Sequence, residues 1–235
     1  MLRDSMSTLS DEASAQRWLT EQLGVSRETM AALERLNGFV RLEAAQQNLV
    51  SASTLDHMWQ RHIVDSAQLL RFAAPTPDDH WIDLGSGAGF PGLVIALLAP
   101  CQVTLVESRG LRIAYLERAI AHLALEGRVV VAGMPLERMT TVAADYISAR
   151  AFAPLPKLLD TAARFSTENT RWLLPKGRNA RTELASVPSA WQRVFHVEQS
   201  ITDADAAILV GSGTVPPSEP LRTVSAPTRK HRSRP

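Results

Sequence analysis

The stretch Trp81-Ile-Asp-Leu-Gly85-Ser-Gly87-Ala-Gly89-Phe-Pro-Gly92 decides the fold. An apolar run leads into a loop of alternating glycines, and a second apolar run, residues 92–99, leads out of it. Strand, glycine loop and helix in that order open a βαβ unit. Glycine lets the backbone turn sharply and lets a ligand come close. The amino end of the following helix offers unpaired N–H groups. Pro91 suits the first helical position, where its missing N–H costs nothing. Four glycines fall in the eight positions 85–92, each at a cost in conformational entropy. A mere strand–helix turn would not need them.

Working outward, short apolar runs alternate with helical stretches on the carboxyl side. Residues 81–84, 102–107, 129–132, 146–149, 172–174, 194–197 and 206–210 read as strands, and 91–98 and 111–125 as helices. This alternation predicts an α/β fold: a mostly parallel sheet with helices on both faces and ligands at the carboxyl ends of its strands. On the amino side, Ser10 reads as a cap for a first helix carrying Trp18, Leu19 and Leu23 on one face. A second helix begins at 26–28 and aligns Met30, Leu33, Leu36, Val40 and Ala44. A third runs over 56–72, and the turn-rich stretch 74–79 follows. The expected division is an N-terminal helical extension (1–75), a nucleotide-type domain (76–215) and a disordered basic tail (216–235). Residues 1–9 carry little pattern and are expected to fray.

Composition bounds the rest. At 45% hydrophobic, the 235-residue chain can bury a core without metals or disulfides. The formal charge of +1 does not advertise a nucleic-acid binder. Arginine outnumbers lysine 22 to 3, a bias that suits phosphate binding and equally reflects a GC-rich genome. Cys101 has no partner for an internal disulfide and reads as a small buried hydrophobe. No basic, apolar leader opens the chain, and no apolar run reaches the roughly 20 residues that span a bilayer. The expectation is a cytoplasmic protein.

Two cofactor classes compete for the loop. Gly87-Ala-Gly89-Phe-Pro-Gly92 matches the dinucleotide pattern, with acidic Glu107 ending the next strand. The other register starts at Asp83, a carboxylate two residues before the first glycine. A pyrophosphate would be repelled there, whereas S-adenosylmethionine carries a sulfonium and an ammonium. Charge therefore favours S-adenosylmethionine. Glu107 could accept hydrogen bonds from ribose hydroxyls in either case.

Together with Asn48-Leu49, Arg61-His-Ile-Val-Asp-Ser66, Ser148-Ala-Arg-Ala-Phe152 and Pro175-Lys-Gly177, the loop 83–92 resembles the ribosomal RNA small-subunit methyltransferase G family, also called glucose-inhibited division protein B. The resemblance runs from roughly Met30 to Gly211 with the motifs in the family's order. It implies a Rossmann-like class I S-adenosylmethionine-dependent methyltransferase that methylates N7 of guanine 527 in 16S rRNA. The implied partner is 16S rRNA or a precursor of the small subunit, met by a monomer without metal or membrane. By position, Gly85 and Phe90 resemble the cofactor-contacting loop, Pro135-Leu136 the pair beside adenine, and Arg150 the arginine bordering the site. With Asp83, Gly87, Gly89 and Glu107 these make the expected cofactor set. The chain departs from the family at Val50, where the family often has Thr, and at Leu136, where it often has an acid. The second departure leaves adenine a backbone contact only.

Guanine N7 has an in-plane lone pair and no proton, so alignment can replace a general base. That fits a sequence with no triad and no metal-ligand spacing. Arg61, His62 and Asp65 sit at helical spacing. They read as site-shaping or RNA-contacting residues, or as a plain Arg61–Asp65 surface ion pair worth at most about 1 kcal/mol. Arg150 reads as a contact to cofactor or RNA, or as a structural arginine. Lys176 reads as a phosphate contact or a solvated strand-end lysine. The tail's Arg229-Lys230-His231-Arg232-Ser233-Arg234 reads as an electrostatic RNA contact or a solubilising terminus. Two other functions stay open: a nicotinamide-dependent dehydrogenase, and a ribosome-assembly binding module without catalysis.

Overall fold

The computed structural model describes residues 8–215; the basic tail lies outside them. Seven strands form one sheet: β1 (His80–Leu84), β2 (Gln102–Val106), β3 (Val129–Ala132), β4 (Ala144–Ala149), β5 (Ser166–Lys176), β6 (Phe195–Gln199) and β7 (Ala207–Ser212). Their order is β3-β2-β1-β4-β5-β7-β6. The first five are parallel, and β7 runs antiparallel between β5 and β6. The order reverses direction between β1 and β4, which makes the crevice beyond their carboxyl ends the expected ligand site.

The helices in chain order are α1 (Glu12–Gln22), α2 (Arg27–Ala44), α3 (Ala52–Leu55), α4 (Asp65–Ala67), α5 (Gly92–Leu98), α6 (Gly110–His122), α7 (Leu155–Ala162), α8 (Ala180–Ala185) and α9 (Ser189–Gln192). Side chains alternate across a strand, so β1 sends Trp81 to one face and Ile82 and Leu84 to the other. Trp81, Val103 and Leu105 pack with α5, α6 and the apolar faces of α1 and α2 (Trp18, Leu19, Leu33, Leu36). Ile82, Ile147 and Trp172 pack against Leu155, Leu158 and Leu159 of α7 and Trp191 of α9. The predicted α/β sheet covered on both faces is the observed one. Cys101 is buried there, and burial pushes its thiol up to about 11.

Four expectations need correction. The cap of α1 is Asp11, not Ser10: Asp11 accepts from the Ser14 N–H, and Ser14 returns the bond to the Asp11 N–H. Leu9 is not frayed, since its N–H donates to the Ile201 carbonyl and its own carbonyl accepts from Gln60. The helix expected over 56–72 is a π turn (Trp59–Val64), α4 and a 3-10 turn (Gln68–Arg71) in succession. The Glu12 carboxylate stands at the start of that run and accepts from the N–H groups of Trp59 and Gln60, both at 2.9 Å. Finally, β5 extends far beyond 172–174. Its first half is polar, so only the buried half shows in the hydropathy, yet Ala144 still pairs with Ser166.

Candidate active site

The glycine loop joins β1 to α5. Gly85, Gly87 and Gly89 have φ of +67, +57 and +88°, the left-handed region that glycine enters without a steric penalty. Close approach matters as much. A Cβ on Gly85 would lie 2.5 Å from the Phe152 ring, and one on Gly92 would lie 2.2 Å from Leu105 and 2.9 Å from the Asp83 carboxylate.

Asp83 lies behind the loop, fully buried. Its carboxylate accepts from the Ser148 hydroxyl at 2.7 Å and from the Gly92 N–H at 3.3 Å. Ser148 in turn accepts from the Trp81 indole at 2.8 Å. Burial pushes the Asp83 carboxyl up, while Ser148, Gly92 and the Arg150 charge pull it back. The carboxylate thus occupies the amino end of α5, where a dinucleotide pyrophosphate would have to sit. Glu107 takes a second loop amide, Gly87 N–H, at 3.2 Å, and its other oxygen accepts from the N–H groups of Ser108 and Arg109.

Two cavities open at the carboxyl ends of the strands. The smaller, ≈ 240 Å³, is lined by Gly85, Glu107, Arg112, Pro135, Leu136 and Phe152. The larger, ≈ 720 Å³, is lined by Arg61, His62, Asp65, Arg150, Lys176 and Glu183 among others. They meet at one wall, the segment 151–153 after β4. Ala151 in that wall has φ +53°, a strained conformation for a residue with a Cβ.

Arg150 organises the larger cavity. Its guanidinium donates to the Arg61 carbonyl (3.1 Å), the Asp65 carboxylate (3.3 Å) and His62 Nδ1 (3.0 Å), and lies over the Phe90 ring. His62 stacks on the same ring, centroids 5.1 Å apart. A guanidinium only donates, so His62 Nδ1 must accept. The ring proton is then on Nε2, which donates to the Thr54 hydroxyl at 2.9 Å. Asp65 also accepts from Thr202 and Gln68. These bonds lock the Met58–Arg71 run onto the loop between β6 and β7.

His62 is held neutral. Burial, then the Arg150 and Arg61 charges, push its pKa from 6.5 down to about 3. The unfolded chain binds this proton near pH 6.5, but the folded chain does not until about pH 3. The stability carried by the neutral ring is therefore complete above pH 6.5 and drains as pH falls toward 3, at up to about 1.4 kcal/mol per pH unit. Urea midpoints taken from neutral pH down to about pH 4 are expected to fall more steeply for the native chain than for His62→Gln. Equal slopes would acquit His62.

The family model for rRNA small subunit methyltransferase G (GidB) matches residues 29–214. The chain belongs to that family. A relative from Sphingopyxis alaskensis, "Ribosomal RNA small subunit methyltransferase G", is 54% identical over 211 residues, 90% of each chain. Two solved structures share the fold. A putative O-methyltransferase from Klebsiella pneumoniae gives TM-score 0.56 at 15% identity, covering 91% of this chain and 100% of that one. A mutant of MtNAS in complex with S-adenosylmethionine gives 0.55 at 14%, covering 90% and 86%. Family membership makes the chain a methyltransferase and removes the dehydrogenase reading.

The structure places the residues expected from sequence in three groups. Gly85, Glu107, Pro135 and Leu136 line the smaller cavity. Arg61, His62, Asp65, Arg150 and Lys176 line the larger. Asp83, Gly87, Gly89 and Phe90 are buried in the loop's support. The Arg61–Asp65 pair does not form. Arg61 pairs with Asp203 at 2.7 Å, and Asp65 is taken by Arg150, Thr202 and Gln68. The Arg61 guanidinium holds the Asp203 carboxyl below its ordinary range. Lys176 is not a solvated lysine either. It is mostly buried and donates to Glu183 at 2.9 Å and to the Ala153 carbonyl at 3.4 Å. Sequence reasoning missed Thr54, Glu183, Thr202 and Asp203, which carry no motif of their own. Ser148 lies within the motif 148–152, but nothing in its spacing marks it as the partner of Asp83.

Proposed function

We propose that this chain binds S-adenosylmethionine in the smaller cavity and transfers its methyl group to N7 of guanine 527 of 16S rRNA, held in the larger one. The observation that carries the reading is the shared wall 151–153, which sets the two cavities side by side. The residues present fit the cofactor. Gly85 lets the Phe152 ring close against the loop at the cavity edge, Glu107 offers a carboxylate to ribose, and Pro135 offers apolar surface to adenine, backed by buried Leu136. The Leu136 carbonyl is taken by Arg164 and the Met139 N–H, so a backbone contact to adenine falls to N–H.

When bound, S-adenosylmethionine supplies an electrophilic methyl on a sulfonium. The chain's own part is alignment, because N7 needs no base. His62 is unsuited to be one: it is neutral, but both ring nitrogens are engaged. The carboxylates of Asp65 and Glu183 favour the positive charge that the base acquires. We further propose that the helices within residues 8–75 form a wall of the acceptor cavity, that residues 76–215 carry the cofactor, and that the protein acts as a cytoplasmic monomer on the small subunit or its precursor. No described helix is long and apolar enough to cross a membrane.

Mass-spectrometric mapping of 16S rRNA from a deletion strain tests this. Loss of one 7-methylguanine is expected, and an unchanged map would sink the proposal. Calorimetry tests the cofactor: S-adenosylmethionine binds and a nicotinamide dinucleotide does not.

A further inference from the structure

The larger cavity is charged but balanced. Three ion pairs line it, Arg61–Asp203, Arg150–Asp65 and Lys176–Glu183, and His62 adds no charge at neutral pH. A cavity whose cations are all paired suits a neutral, hydrogen-bonding group better than a phosphate. In two of the pairs both carboxylate oxygens are engaged. Asp65 accepts from Arg150 on one oxygen and from Gln68 and Thr202 on the other. Arg61 holds Asp203, whose other oxygen accepts the Asp205 N–H.

The third pair has capacity left. An ammonium has three donors, and Lys176 spends two, on Glu183 Oε2 and the Ala153 carbonyl. Glu183 Oε2 accepts from Lys176 and from the Leu155 N–H. Its Oε1 has no hydrogen-bond partner among the described residues. The pair stands beside Ala153, in the wall between the two cavities. One spare donor and one spare acceptor therefore lie side by side where the cavities meet.

We infer that Lys176 and Glu183 select guanine: the lysine donates to O6, and the free carboxylate oxygen accepts from N1–H and the 2-amino group. The inference rests on the proposed function and deepens it. In guanine, O6 neighbours N7, and N1–H and the 2-amino group follow around the ring. A base that turns N7 to the cofactor cavity can thus offer the other groups to the pair. Adenine inverts the pattern. It sets an amino donor where the lysine donates and a lone pair where the carboxylate accepts, and leaving such polar groups unpaired gives strong discrimination.

The test uses the full-length protein and 16S rRNA substrates carrying guanine or inosine at the acceptor position. Inosine keeps O6 and N1–H but lacks the 2-amino group. For the native chain, inosine is expected to lower kcat/KM about tenfold, the effect of one lost hydrogen bond to a charged group. Glu183→Gln is expected to slow guanine transfer and bring the guanine-to-inosine ratio toward one. Lys176→Met is expected to slow both substrates by the same factor and leave the ratio intact. The affinity for S-adenosylmethionine and the melting temperature, read alongside, show whether each variant is folded. If the pair is only structural, the ratio stays unchanged in Glu183→Gln, and the inference is overturned. It is equally overturned if the native chain takes inosine as fast as guanine. If the native chain forms no 7-methylguanine at all, the proposed function itself fails.

Discussion

Gly92→Ala is expected to cost the protein its cofactor affinity and part of its stability. Gly92 opens α5, and helix propensity alone would favour alanine by about 1 kcal/mol. Sterics oppose this. The new Cβ would lie 2.2 Å from Leu105 Cδ2 and 2.9 Å from the Asp83 carboxylate. Leu105 and Asp83 are both fully buried, so neither can swing into open space. The helix must move off the sheet, at a cost of about 1–3 kcal/mol for such overpacking. The movement pulls the Gly92 N–H away from Asp83 and carries the loop 85–91 with it. Calorimetric titration is expected to show S-adenosylmethionine binding at least about tenfold weaker, the equivalent of 1.4 kcal/mol. A melting temperature and affinity equal to the native ones would show that the strand–helix contact is softer than these distances imply.

Arg150→Ala is expected to be as damaging, by a different route. The side chain makes four contacts at once, with Arg61, His62, Asp65 and the Phe90 ring. Without it, the Asp65 carboxylate keeps only the Thr202 and Gln68 bonds, and His62 Nδ1 loses its donor. Asp65 is 18% exposed, so water recovers part of the loss. About 2–3 kcal/mol is expected in stability, toward the lower end for breaking a buried pair. Because the floor of the acceptor cavity is disordered, kcat is expected to fall at least about tenfold, with a smaller change in cofactor affinity. Arg150→Lys separates charge from geometry. A lysine is a point charge without the planar fork, so it is expected to recover stability better than turnover. If lysine restores both, the fork has no role.

Much of this was legible in the sequence because it depends on local physics. The strands at 129–132 and within β1 and β2 show as short apolar runs between turn residues. Gly85, Gly87 and Gly89 mark a backbone that only glycine adopts without strain. Asp83 was readable as a carboxylate set just before the first loop glycine. What the sequence could not give is the route: Asp83 acts by filling the amino end of α5 from behind the loop, not from inside a cavity. Pairings across long separations were likewise invisible. Arg61 finds Asp203, 142 residues further on, only when the loop between β6 and β7 is in place.

The amino-acid sequence by itself determined the alternating α/β order, the glycine loop and the motifs that carry the family resemblance. These are fixed by side-chain periodicity and by the conformations glycine permits, which neighbours along the chain decide. The tertiary structure alone decided which charges pair, which nitrogen of His62 carries the proton, and that two cavities share the wall 151–153. The loop between β6 and β7 brings Asp203 to Arg61 and Thr202 to Asp65, and burial sets the protonation of His62. Both follow from what the fold packs around those residues, and no spacing along the chain encodes that.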